Sequence, residues 1–180
     1  MKSKHLIITM IALLIGAFGC SPQPAPTSVT RTETPKPSPQ AESPSALPKE
    51  GFKGELTLVN PPAKLRAGQQ ARIQVKVKNA STVFWWARGG PTNNRSDNKF
   101  YIAVGDRWLK PDGSLVTDMD GRIGIGKDLS GGDETEVSLL VTAPKEPGEY
   151  TLELDLVQEQ VTWFHEKGSP TAKTKVTVTK

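Results

Sequence analysis

From Ala71 to Asn79 the chain reads Ala-Arg-Ile-Gln-Val-Lys-Val-Lys-Asn, with an apolar side chain at every second place. A strand turns successive side chains to opposite faces, so Ile73, Val75 and Val77 share one face while Arg72, Gln74, Lys76 and Lys78 share the other. That spacing predicts a half-buried strand. The same period recurs in Val137, Leu139 and Val141, in Tyr150, Leu152, Leu154 and Leu156, and in Val176 and Val178, with Leu56 and Leu58 opening the series. Between the runs lie turn formers: Asn60-Pro61-Pro62, Gly89-Gly90-Pro91, Pro111-Asp112-Gly113, Gly131-Gly132-Asp133, Pro144 to Gly148 and Lys167 to Pro170. No stretch sustains an apolar helical stripe. The expected fold class is all-β, an antiparallel sandwich of about seven to nine short strands over residues 50–180.

Two details point to an immunoglobulin-like arrangement. Pro147-Gly148-Glu149-Tyr150 leads into an alternating strand, where Tyr150 is placed to form a tyrosine corner if its hydroxyl finds a backbone acceptor. Trp85 and Trp86 stand where such sandwiches hold a core tryptophan. With a side-chain period of two, one of the pair is expected to point inward, and Trp86 is assigned that structural role.

Residues before 50 follow a different pattern. Eight of the fifteen prolines (Pro22, Pro24, Pro26, Pro35, Pro37, Pro39, Pro44 and Pro48) fall here among Ser, Thr, Ala and Gln, so residues 20–49 bury too little apolar surface to offset chain entropy. They read as a disordered tether. Pro35-Lys36-Pro37-Ser38-Pro39 has the spacing of a proline-rich ligand, but nothing around it adds specificity. Residues 1–19 read as an export signal: Lys2 and Lys4, then the apolar run from Leu6 to Phe18, then Gly19 before Cys20. The run is too short to cross about 30 Å of hydrocarbon at ~1.5 Å per residue.

Ala17-Phe18-Gly19-Cys20 resembles the processing site of bacterial lipoproteins, with Ala17 where Leu is commoner. The resemblance implies acyl chains on Cys20 and firm attachment to a membrane, since each buried CH₂ contributes about 0.8 kcal/mol. It also implies a place in the cell envelope: the outer membrane facing the periplasm in a diderm, a sorting that Ser21 permits, and otherwise the outer face of the cytoplasmic membrane. Membrane lipid is then the first partner, and no cofactor is expected beyond the covalent lipid.

Charge and composition narrow the remaining chemistry. The chain has 23 basic and 19 acidic residues. Removing Lys2 and Lys4 with the signal leaves 21 against 19, a balance too even to suggest nucleic acid. One cysteine excludes an internal disulfide framework, and two histidines, His5 and His165, exclude a multi-histidine metal site once His5 is removed. No catalytic residues and no enzyme activity are expected.

Aromatic faces stack on sugar C–H faces, which makes Trp85, Trp108, Trp163 and Phe164 candidate ligand platforms, although two or more of the tryptophans are expected in the core. Trp163 and Phe164 are neighbours on a strand and point oppositely, so whichever is exposed is the best platform. Asp118-Met119-Asp120-Gly121 has the opening of a calcium loop without its later ligands and reads as a solvated turn. Gly121, Gly124 and Gly126 read as turn or bulge glycines. His165-Glu166 lacks a positioned nucleophile and reads as surface. Glu153 and Asp155 fall on the polar face, where solvated charges belong.

A second resemblance is carried by Val77 to Ser81 with Trp85, by Trp108 to Gly113, and by Ala143-Pro144 through Tyr150 to Val157 and on to Trp163, Phe164 and Gly168. Together these are similar to Ig-like accessory domains of surface-glycan glycosyltransferases and methyltransferases, and to polysaccharide-binding domains of O-antigen exporters. The resemblance implies a fold and an association with glycan, without the catalytic domains that accompany such modules. The expected function is a membrane-tethered binding or scaffold module that contacts envelope glycan or a protein partner. The alternatives are an assembly lipoprotein joined to a protein partner through a sheet edge, and, last, a hydrolase with an unrecognised site.

Overall fold

The computed structural model describes residues 43–89 and 96–180. Cys20, the export segment and most of the tether lie outside the described residues. Among the described residues there are nine strands, in chain order β1 (Gly54–Val59), β2 (Lys64–Arg66), β3 (Gln70–Asn79), β4 (Ile102–Leu109), β5 (Leu115–Gly124), β6 (Glu134–Thr142), β7 (Gly148–Gln158), β8 (Thr162–Trp163) and β9 (Ala172–Thr179). Among the described residues no helix is long and apolar enough to cross a membrane.

The alternation of β3 is realised as read. Ile73, Val75 and Val77 are buried, and the register sets Ile73 against Leu139 and Val75 against Val137, so the inward faces of β3 and β6 pair apolar to apolar. A three-stranded sheet runs β1-β3-β6, and a larger sheet runs β2-β9-β7-β4-β5 with β8 beside β7. This is the immunoglobulin-like order, with A, B and E on one side and G, F, C and C′ on the other. One pairing departs from the antiparallel expectation: β2 runs parallel to β9, Leu65 against Val178. Strand β4 showed no alternation in sequence because both its faces are covered. The tyrosine corner is present, with the Tyr150 hydroxyl donating to the Glu146 carbonyl at 3.0 Å.

The core corrects several sequence expectations. Trp85 and Trp86 are both buried rather than one in and one out. Their segment is no sheet strand: Trp85 bridges Leu129 and Trp86 bridges Tyr101, so strand alternation does not govern them. Trp85, Trp108 and Phe164 have no accessible ring face for stacking a ligand. Phe164 meets Trp85 and Phe52 edge-on, each at a centroid distance of 5.1 Å, and Trp85 Nε1 donates to the Gly51 carbonyl at 2.9 Å. Trp108 packs edge-on against Tyr150 at 6.4 Å.

The packed region also begins earlier than residue 50. Leu47 is buried in the core, and its N–H donates to Gln158 Oε1 at 2.9 Å while Gln158 Nε2 donates to the Ser45 carbonyl at 2.8 Å. Composition assigned these residues to the tether because a single leucine among prolines carries no period. Asp118 to Gly121 lies within β5 rather than in a turn.

Candidate functional site

The outer face of the larger sheet is built from alternate residues of β4 and β7. Ala103, Gly105 and Arg107 on β4 stand beside Val157, Asp155 and Glu153 on β7, and Lys173 on β9 pairs with Glu153 across the next strand. Between β8 and β9 the chain leaves the sheet. The Phe164 N–H still donates to the Leu156 carbonyl at 2.9 Å, then a single turn of 3-10 helix, His165–Lys167, carries the chain out before it returns to the sheet at Ala172.

That excursion covers charges the alternation had left wet. Asp155 is 2% exposed and Glu153 is buried with it. His165 Nδ1 lies 2.5 Å from Asp155 Oδ2, so one hydrogen bond joins the ring to the carboxyl group. Thr171 Oγ1 donates to Glu153 Oε1 at 2.6 Å, and Lys173 Nζ sits 3.1 Å from the same oxygen. Arg107 spans the pair, with Nε 3.7 Å from Glu153 and Nη2 3.8 Å from Asp155. Burial pushes the Asp155 carboxyl above the ordinary carboxylate range, an effect that the His165 hydrogen bond offsets only in part. Burial acts on Glu153 in the same sense, but Thr171, Lys173 and Arg107 together outweigh it and hold that carboxyl below its usual value.

Trp163 forms the centre of the same face. Sequence placed it opposite Phe164, and it points outward, half-buried, while Phe164 enters the core. Its ring lies against Gly105, where an added Cβ would stand 2.7 Å from Trp163 Cη2, so the glycine makes the seat. Tyr101, Ala103 and Val157 complete an apolar floor. The guanidinium carbons of Arg122 and Arg107 lie 4.9 and 5.8 Å from the Trp163 ring centroid, within the range of a cation–π contact. Arg122 is itself held by both Glu159 oxygens, at 2.9 and 3.0 Å. Burial, followed by the Glu159 charge, raises the Tyr101 phenol, against the pull of Arg88 and Arg122.

Of the four ring platforms read from sequence, Trp163 alone has surface to offer, and it stands among Arg107, Arg122, Glu159 and His165, none of which sequence reasoning had selected. The available signal was the run of acidic residues on β7, an unusual density of charge for a strand flanked on both sides. Concavities of about 620 and 500 Å³ lie elsewhere, one beside Phe52, Lys53 and Ser169 and one beside Val116, Asp120 and Tyr150. Among the described residues no three His, Cys, Asp or Glu side chains gather as metal ligands.

No family model matches the chain, nor does any curated protein sequence. Solved structures with a related outline include a β-glucosidase from Listeria innocua in complex with glucose (14% identity, TM-score 0.42, 71% of this chain and 16% of that one). A CARDB domain from Pyrococcus furiosus in complex with di-metal ions aligns at 15% identity and TM-score 0.41, over 71% of this chain and 86% of that one. The sporulation control protein Spo0M from Bacillus subtilis aligns at 13% identity and TM-score 0.40, over 71% and 49%. The chain thus spans a small part of the β-glucosidase. At this level of likeness the fold assignment stands on the strand order and the tyrosine corner of the chain itself.

Proposed function

We propose that the chain is a lipid-anchored protein of the cell envelope whose Ig-like sandwich is a non-catalytic binding module, and that its contact surface is the outer face of the larger sheet around Trp163. The observation that carries the contact surface is the seating of Trp163. A half-buried indole rests on Gly105 beside two guanidinium groups and is surrounded by carboxylates, a histidine and a tyrosine, which is the composition of an aromatic platform with polar groups at its rim. Envelope glycan is the ligand class such a platform suits. The anchor rests on Cys20 and the segment before it.

Two experiments test the two halves. Residues 43–180 on an array of envelope polysaccharides are expected to bind, and Trp163→Ala to lose the binding; absence of binding to any of them contradicts the glycan assignment. Cys20→Ala is expected to leave the membrane fraction, and a processed variant that stayed there would contradict the anchor. A second reading, strand addition by a protein partner, is favoured by the exposed Leu115 and Val116 at the head of the edge strand β5. A protein recovered in a pull-down that is lost on Leu115→Lys, together with a silent array, supports that reading instead.

A further inference from the structure

Around Asp106 the β4–β5 pair falls out of step. Gly105 pairs with Arg122 and Arg107 with Asp118, so Met119, Asp120 and Gly121 together stand opposite one residue. The resulting bulge carries β5 toward β6. There the Thr142 N–H donates to Asp120 Oδ2 at 2.8 Å, and Gly121 lies so near the Leu140 carbonyl that an added Cβ would stand 2.2 Å from its oxygen. Asp106 shares the inner face of β4 with Val104 and Trp108 and is 1% exposed. Its Oδ1 accepts the Gly121 N–H at 2.6 Å. Its Oδ2 is buried and meets no donor among the described residues, while the Asp120 carboxyl lies within hydrogen-bonding reach.

Two ionised carboxylates have nothing to donate to each other, so such a contact needs a positive species between the oxygens. A hard divalent cation collects about six or more oxygens, and no group of three or more acidic, His or Cys side chains gathers among the described residues. A proton needs only the two. We infer that Asp106 and Asp120 share one proton at neutral pH, and that this acid pair latches the bulge of β5 onto the edge of β6.

The electrostatics agree with the geometry. Burial first, then the hydrogen bond and charge of Asp120, push the Asp106 carboxyl up to about 8, and the Gly121 N–H opposes this only in part. Around it, β5 contributes Asp120 and Asp118, β6 the backbone of Leu140 and Thr142, and β7 the apolar Leu154, while Arg107 follows on the opposite face of β4. The folded chain therefore holds a proton that the unfolded chain releases near the ordinary value of 3.8. The latch's contribution to stability is complete below that value, declines as pH rises toward about 8, and is gone above it.

The test uses the full chain in detergent. The carboxyl ¹³C resonance of Asp106, assigned by its loss in Asp106→Asn, is expected to titrate near pH 8. Within the window the unfolding constant of the wild type is expected to rise by up to about tenfold per pH unit. Asp106→Asn, whose amide can donate to Asp120 without titrating, is expected to lack that slope. Should it fail to fold, Asp120→Asn is the second variant, and it is expected to bring the Asp106 midpoint down toward the ordinary carboxylate range. Titration of wild-type Asp106 near 3.8, or equal pH slopes in wild type and Asp106→Asn, overturns the proposal. A gain in thermal midpoint on adding millimolar Ca²⁺ or Mg²⁺ at pH 8, seen in the wild type and lost in the variant, also overturns it and makes the pair a cation site.

Discussion

The outer faces of the two sheets carry the same kinds of residue to different ends. On the smaller sheet, Lys76 and Glu134 approach at 3.8 Å with their side chains 46% and 48% exposed, and Lys78 meets Glu55 at 3.3 Å in similar surroundings. Pairs of this kind are screened and contribute little, about 0–1 kcal/mol. On the larger sheet, Glu153 and Asp155 sit at equivalent alternating positions but are covered by the chain between β8 and β9, so that His165, Thr171 and Lys173 hold them at 2.5, 2.6 and 3.1 Å. Alternation identifies a polar face without telling whether later chain will cover it. Where it is covered, the charges lose their freedom, and the surface beside them becomes a defined shape with Trp163 at its centre.

The contrast can be broken by substitution, and the effects are ranked. The inner face that both sheets share gives the largest: Val75→Asp puts an unpaired charge into the core at a cost of several kcal/mol, against a whole-domain stability of about 5–15 kcal/mol. Loss of the cooperative thermal transition is expected. Arg107→Ala comes next, because it leaves Glu153 and Asp155 buried with fewer cationic partners. A loss of about 1–3 kcal/mol in denaturant unfolding is expected, discounted for the residue's partial exposure. Gly105→Ala costs less in stability but pushes against the indole, so acrylamide quenching of tryptophan fluorescence is expected to increase as Trp163 lifts from its seat. Lys76→Asp, on the open face, is expected to stay within about 0.5 kcal/mol of wild type. Equal losses for Lys76→Asp and Arg107→Ala would erase the distinction between the two faces.

The strands that bury one face were legible in the sequence, as β3, β6 and β9 show, because period two is a one-dimensional signal, and β7 was legible although covered on both faces because its outer face alternates charged residues with the leucines of the core. Strand β4 was not, since Ile102 to Leu109 is covered on both sides and its pattern looks irregular. The tyrosine corner was legible because it is local, four residues from donor to acceptor. The candidate face was legible only at Trp163 and its opposition to Phe164. Its other members come from β4, β5, β7 and the excursion before β9, and nothing in the linear order of Arg107, Arg122, Asp155 and His165 shows that they meet. The burial of Leu47 was hidden for a similar reason: its partner Gln158 lies more than a hundred residues away.

We propose that Trp163, the tryptophan left partly open while Trp85, Trp86 and Trp108 are enclosed, marks a ligand surface. Its most direct test is acrylamide quenching of intrinsic fluorescence in residues 43–180 with and without purified envelope polysaccharide. A single quenchable tryptophan population is expected, absent in Trp163→Ala and protected when the polysaccharide is added. Quenching unchanged at every polysaccharide concentration, or polysaccharide binding that Trp163→Ala retains in full, would contradict the account.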